Sequence, residues 1–382
     1  MKSKAGIIRG IGKDWSVEEI EVDPPKAGEV LVQWSHAGMC HSDEHLVTGD
    51  MVPPEEAWPL MGVESFFPVV GGHEGAGIVA EVGPGVNTVK PGDHVSASFI
   101  PSCGRCRYCS TGRQNLCDLG AAAFLPGMIT DGTSRHRAGA EELMLFAKLG
   151  TFSEYSCVAE TQVIKVDDDL PLEAVALVSC GVATGWGSAT NRAAVQAGDV
   201  VVVVGIGGIG INAVQGAKMA GAKQVIAVDP VEFKREKAME FGATHTFTSM
   251  EEALPAVMEL TFGQMADKVI MTPGVMYGDL MALATQLTGK GGTCVVTAVA
   301  PMTQTESSVN LFELAMWNKE IKGTIFGSLN PRADIPKLLG LYREGQLMLD
   351  ELITNRYPLA DINVGYQAMR DGENIRGIIV HG

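Results

Sequence analysis

Five consecutive valines, Val200–Val204, run straight into the turn GIGGIG and then into an amphipathic segment. No other stretch limits the fold so tightly. A strand buried on both faces reads as an unbroken apolar run, and G-x-G-x-x-G suits the tight turn from such a strand into a helix. Gly205 allows the turn, Gly207 lets a ligand approach the backbone, and Gly210 lets helix and strand pack closely. The next apolar strand, QVIAVD, ends in Asp229, close to the roughly twenty-residue spacing at which dinucleotide-binding folds carry a ribose acceptor. The turn residues Gly205, Gly207, Gly208, Ile209 and Gly210 would present a helix N-terminus to a pyrophosphate. Asp229 would accept hydrogen bonds from both adenosine ribose hydroxyls, and its charge would repel a 2′-phosphate. The expected nucleotide is therefore NAD and not NADP.

From about residue 183 apolar strands alternate with helical stretches: DVVVVVG, Ile209–Gly221, QVIAVD, Val231–Phe241, DKVIM, Met276–Leu287 and GTCVVTAVA. This alternation predicts βαβ units and a doubly wound parallel sheet. The first part differs, because GEVLVQW, GAGIVAEVG and DHVSASF are short β-type runs broken by Gly and Pro, as in a compact, mostly antiparallel domain. After Gly323 the texture is mixed, with a helical stretch at Ile335–Arg343 and a closing strand in RGIIV, so this tail can rejoin the first domain. A length of 382 residues favours two domains over one. The expected layout is α/β: 1–182, 183–323 as the nucleotide domain, and 324–382 returning to the first. GTCVVTAVA and IKGTIFG fall near one sheet edge, and an apolar edge tends to be covered, so pairing with a second copy as a dimer or tetramer is expected.

Composition excludes some partners. A net charge of −16 repels nucleic acid and acidic membrane surfaces, and no apolar run is long enough to cross a bilayer. The start, MKSKAGIIRGIGKDW, lacks the apolar core of a secretory signal, so the expected location is the cytoplasm. Of eight cysteines, Cys103, Cys106, Cys109 and Cys117 follow C-x2-C-x2-C-x7-C on a loop of turn formers at about 100–118. In a reducing compartment such clustering means metal: a closed, structural zinc site, with an iron–sulfur cluster as its competitor. Cys40 in AGMCHSDEH, His73 in VVGGHEGAG and Cys180 in LVSCGVATGWG form a second, dispersed set. Two thiolates and an imidazole leave one tetrahedral position open to substrate. Taken singly, Cys180 reads as core and His73 as a hydrogen-bonded structural histidine.

GHEGAGIVAEVGPGV after the CHSDEH loop, the four-cysteine lobe, DGTSRH, SCGVATGWGSA and GIGGIG with Asp229 occur in an order that closely resembles the zinc-containing medium-chain alcohol dehydrogenases. The resemblance runs over essentially the whole chain. It implies a GroES-like, mostly-β catalytic domain made from both termini, a Rossmann coenzyme domain between them, and an active site in the cleft. It further implies two zinc ions per chain, with Cys40, His73 and Cys180 on the catalytic one and Glu74 approaching the metal when substrate oxygen leaves. Asp43 resembles the carboxylate that orients His73. Ser42 and His45 resemble the relay that takes the alcohol proton through the nicotinamide ribose to solvent, and His41 a basic partner of the pyrophosphate. By the same resemblance Lys234 touches the adenosine ribose, Arg376 the pyrophosphate, Thr184 the nicotinamide, and Thr297 and Ala298 its carboxamide. The implied reaction is reversible hydride transfer between an alcohol and NAD, giving an aldehyde.

Two departures refine the resemblance. The stretch between Cys40 and His73 is longer than in animal liver-type enzymes, by roughly Met51–Phe67, and reads as a neutral surface loop or as a wall of the substrate entrance. Ala121 stands where relatives that oxidise the glutathione adduct of formaldehyde carry arginine, which disfavours that anionic substrate. The long loop resembles the actinobacterial nicotinoprotein alcohol dehydrogenases, which keep NAD bound and pass electrons to an external acceptor. Alternatives are an ordinary NAD-exchanging or S-(hydroxymethyl)glutathione dehydrogenase and, more remotely, a non-catalytic zinc-stabilised nucleotide-binding protein.

Overall fold

The structure, a computed structural model, describes residues 1–382 and divides into two compact units, Met1–Cys180 with Asn330–Gly382, and Gly181–Leu329. The first unit contains two mostly antiparallel sheets. In the six-stranded one, Lys2–Ile8 pairs with Ser16–Val22 on one side and with Val69–Val70 on the other. The seven-stranded one is organised by Glu29–Gly38, which pairs with Tyr155–Ala159, Ala76–Val82 and Arg376–Val380. The last pairing explains why the tail returns: the apolar strand RGIIV aligns Ile378 with Gly38 and Val380 with His36, and becomes buried. Beside it lies a core of Trp15, Phe66, Phe152, Ile362, Tyr366 and Ile379, in which Trp15 stacks on Tyr366.

An ion pair is buried between strand Glu29–Gly38 of one sheet and the start of strand His136–Ala138 of the other. Glu29 accepts from Arg135 Nε at 2.9 Å and Nη2 at 2.7 Å, and both side chains are almost fully enclosed. Next to Arg135, His136 Nε2 accepts the Cys157 amide at 3.1 Å and is therefore held neutral by the fold.

The second unit is a six-stranded parallel sheet in the order His245–Phe247, Gln224–Val228, Val200–Val204, Ala266–Met271, Thr288–Val296, Glu320–Gly323. Strand order reverses at Val200–Val204, where a doubly wound sheet opens for a ligand. The helices Gly210–Met219 and Glu232–Glu240 form where the 3.6-residue pattern places them. The predicted helix from Met276 begins only at Leu280, because the Met276 amide bonds to Val299 O and Leu280 N closes a turn on Tyr277 O. The unit extends to Leu329, beyond the expected 323: Phe326 is fully buried, and Gly327, at φ +59°, lies where a Cβ would strike Thr184 and Gly187. No single helix is long and apolar enough to cross a membrane.

Burial holds the His136 imidazole at a pKa of about 3. As pH falls below about 6.5 the unfolded chain takes up a proton that the native state refuses, so stability declines between pH 6.5 and pH 3 by up to about 1.4 kcal/mol per unit. His136→Gln, which keeps an acceptor but cannot titrate, is expected to lose stability less steeply across that window than the wild type. Urea midpoints measured at several pH values check it.

Candidate active site and metal centres

Strand Glu29–Gly38 delivers Cys40, which caps helix His41–Thr48. Gly71 and Gly72 thread the chain past Trp15 and Phe152, where a Cβ at either position would collide, and so bring His73 and Glu74 inward. Helix Leu172–Val178 ends just before Cys180, and Ser179 Oγ accepts the Gly75 amide at 3.1 Å, tying the two segments together. Cys40, His73, Glu74 and Cys180 are all buried, with their donor atoms within 4.8 Å of one another.

Asp43 Oδ2 lies 3.0 Å from His73 Nδ1, while its Oδ1 accepts the Gly72 amide at 2.7 Å. The imidazole is thereby turned so that Nε2, buried and without a hydrogen-bonding oxygen or nitrogen, is left for the cluster. Phe99 and Phe146 lie nearly perpendicular to the ring, with centroids 5.8 and 5.2 Å from its own, two flanking residues that the sequence does not single out. A hydrogen bond between the thiols pushes Cys40 well below, and Cys180 well above, the ordinary cysteine pKa. Burial pushes Glu74 up to about 8, against the pull of Arg376, its buried ion-pair partner. Two sulfurs, an unpartnered imidazole nitrogen and a carboxylate in a dry pocket form a donor set that suits a zinc ion with an exchangeable position.

Cys103, Cys106, Cys109 and Cys117 likewise bring their sulfurs within 4.8 Å of one another. The Cys106 amide donates to Cys103 Sγ at 3.3 Å and the Cys109 amide to Cys106 Sγ at 3.4 Å. The Cys109 amide in particular favours the thiolate, lowering Cys106 to about 6. Four thiols arranged this way fit a closed tetrahedral zinc with no position for substrate.

Ser42 and His41 lie in the first turn of helix His41–Thr48, both half-buried, and His45 is enclosed one turn on. The Met51–Phe67 stretch is tied down at its ends: the Met51 amide bonds to His45 O at 3.1 Å, Trp58 Nε1 donates to Pro53 O, and Phe66 is buried against Phe124, while Leu60 between them is exposed. Lys148 Nζ, lowered to about 8 by burial, clamps the chain after Phe124 by donating to the carbonyls of Leu125 and Gly127.

In the second unit, Gly205 has φ +87° and no space for a Cβ, a Cβ on Gly210 would collide with Gly205 O, and Gly207 faces open space. Gly208 and Ile209 complete the turn before helix Gly210–Met219. Asp229 is buried and clasps the turn, accepting Ile206 N at 2.7 Å and Val231 N at 2.9 Å. Lys234 is half-buried on the following helix. Its neighbour Arg235, which the sequence does not single out, donates to Asp229 O at 2.8 Å; its signal is one more cation six residues after the acidic residue. Thr184 is buried, and the amides of Thr297 and Ala298 both reach Met271 O.

Known proteins resolve what this geometry belongs to. Residues 26–168 match the alcohol dehydrogenase GroES-like domain and residues 208–344 the zinc-binding dehydrogenase domain. An NDMA-dependent alcohol dehydrogenase of Amycolatopsis methanolica is 52% identical over 100% of this chain and 99% of its own. The chain belongs to the zinc-dependent medium-chain alcohol dehydrogenases. Alcohol dehydrogenase B of Mycobacterium tuberculosis is 49% identical over 99% of this chain and 98% of its own. The crystal structure of benzyl alcohol dehydrogenase from Acinetobacter calcoaceticus superimposes with a TM-score of 0.89 at 28% identity, covering 100% of both chains. The enzyme is thus an oxidoreductase of the GroES-like plus Rossmann architecture, with zinc and NAD as its cofactors.

Wild-type enzyme is expected to carry two zinc ions per chain by elemental analysis. Cys40→Ser should retain one and lose activity while staying folded; Cys103→Ser should chiefly lower the melting temperature, since a structural metal contributes to folding directly.

Proposed function

We propose that the enzyme oxidises an alcohol to an aldehyde, reversibly, with NAD that stays bound through turnover and is reoxidised by an external acceptor. The observation that carries this reading is the end-to-end 52% identity to a relative named for its dependence on NDMA. The long Met51–Phe67 stretch, held by Trp58 and Phe66, supports it as a wall of the substrate entrance. An S-(hydroxymethyl)glutathione dehydrogenase of Synechocystis is also similar, at 38% identity, but exposed Ala121 offers no cation to a glutathione carboxylate.

Cys40, His73 and Cys180 would hold the catalytic zinc, and Cys103, Cys106, Cys109 and Cys117 the structural one. When bound, the catalytic zinc supplies a Lewis acid for the substrate oxygen and NAD supplies the hydride acceptor. Asp43 fixes the His73 ring, and its loss would cost metal affinity or activity. Glu74, neutral or paired with Arg376, can enter the donor set when another ligand leaves. Ser42 Oγ would accept the alcohol proton while its own hydroxyl proton passes on, by way of the nicotinamide ribose, to His45 Nε2. Gly205, Gly207, Gly208, Ile209 and Gly210 would receive the pyrophosphate, with His41 and Arg376 as cationic partners. Asp229 and Lys234 would hold the adenosine ribose, and Thr184, Thr297 and Ala298 the nicotinamide.

The outer strand Glu320–Gly323 has one unpaired edge, and near it Leu311, Phe312, Met316, Ile321 and Ile325 are exposed. We propose that a second copy covers this face in a homo-oligomer. Its eight free cysteines fit work in the reducing cytoplasm, and a charge of −16 fits a small-molecule substrate, with no nucleic acid or membrane as partner.

Protein desalted exhaustively and then denatured should release about one equivalent of NAD or NADH, and should oxidise alcohols with NDMA but not gain from added NAD. Each tenfold slowing of nucleotide release needs about 1.4 kcal/mol. An empty protein that turns over with free NAD would refute the bound-cofactor reading alone. Asp229→Gly should weaken NAD retention and relax the preference against NADP, because it removes the ribose acceptor together with its charge; nucleotide titrations measure both.

A further inference from the structure

We infer that Asp50 is a positioning residue for the proton-transfer step, fixing the His45 imidazole so that Nε2 is the atom that accepts the proton. This rests on the reading of His45 as proton acceptor. Helix His41–Thr48 ends at Gly49, whose φ of +88° reverses the chain, and the amides of Gly49 and Met51 both bond to His45 O at 3.1 Å. A Cβ at Gly49 would press on Ile11 at 3.1 Å, so both the conformation and the space call for glycine. The reversal lays Asp50 back along the helix end, with Oδ2 3.1 Å from His45 Nδ1 and accepting Thr48 Oγ1 at 2.7 Å.

An ionised carboxylate has no hydrogen to give, so Nδ1–H must be the donor of this bond, and Nε2 keeps the lone pair. The His45 side chain is 3% exposed and that of Asp50 19%, so the pair runs from an enclosed base to a carboxylate touching solvent. The next imidazole, that of His41, has its ring centroid 6.3 Å from that of His45.

The step balances within the proposed oxidation. The alcohol O–H bond breaks and an N–H bond forms at Nε2, while the carbon-bound hydrogen leaves with its electron pair to the nicotinamide. The imidazolium then has Asp50 as counter-charge across Nδ1 until Nε2 returns its proton to solvent. A carboxylate behind a histidine base holds tautomer and orientation and stabilises the charge that forms on the ring.

The test compares Asp50→Asn, His45→Gln and the double variant as zinc-loaded, full-length enzyme, measuring kcat and KM for a primary alcohol, zinc content and melting temperature. Asp50→Asn should lower kcat on the order of tenfold with KM little changed, and His45→Gln should lower it at least as much. The double variant should match His45→Gln alone, because a residue acting through another adds nothing once that other is gone. Thr48→Val, which removes only the second bond to Asp50 Oδ2, should give a smaller loss that also vanishes in the His45→Gln background, and serves if Asp50→Asn folds poorly. Rising concentrations of a small buffer base should partly restore Asp50→Asn, which a packing defect would not allow. Full activity in Asp50→Asn beside an impaired His45→Gln, or losses that multiply in the double variant, would overturn the role of Asp50. An unimpaired His45→Gln would overturn the reading of His45 itself.

Discussion

The buried pair of Arg376 and Glu74 is the interaction on which the rest of the catalytic unit depends. Both side chains are buried, and enclosing two charges is costly unless each is compensated at close range, which is why burial pushes Glu74 toward its neutral form. Compensation comes from the neighbours: the Cys40 and Cys180 sulfurs favour the guanidinium, and His73 favours the carboxylate. Gly38 is small because a Cβ there would occupy the space where Glu74 and Arg376 meet. The pair thus joins the returning strand Arg376–Val380, the loop at His73 and the end of strand Glu29–Gly38 into one electrostatic unit. That unit holds two thiols, an imidazole and a carboxyl in range of a single cation.

The parts legible in the sequence are those whose physics is local. GIGGIG announces its turn because only glycine tolerates φ +87° at Gly205 and the approach of Gly205 O to Gly210. The alternation of apolar strands and helical stretches announces the parallel sheet because its central strands, such as Val200–Val204 and Gln224–Val228, are buried on both faces. Four cysteines in one loop announce a metal lobe for the same reason. Cys40, His73 and Cys180 are distant in sequence and meet only through sheet pairing, so residue spacing could suggest them and resemblance had to join them.

What escaped notice was set by tertiary partners. His245–Phe247 is a short, half-buried strand whose pairing with Gln224–Val228 defines it more than its composition does. Arg135, inside a stretch that stood out only by resemblance, is the buried counter-ion of Glu29 more than a hundred residues earlier. Asp229 reads as a ligand acceptor, yet in the fold both its oxygens already hold backbone amides, so the same carboxylate shapes the turn that it is expected to serve.

The antiparallel pairing of Ile378, Ile379 and Val380 with Gly38, Ala37 and His36 has a consequence for biosynthesis. A ribosome makes the middle unit, Gly181–Leu329, as one uninterrupted segment, and all six strands of its sheet are in hand before residue 330 is added. The first unit is split around it. Its long central strand is made early, but Arg376 and the strand behind it come more than three hundred residues later. Until then Glu74 has no counter-charge and the end of strand Glu29–Gly38, from His36 to Gly38, lacks its pairing partner, so the domain begun first is the one completed last.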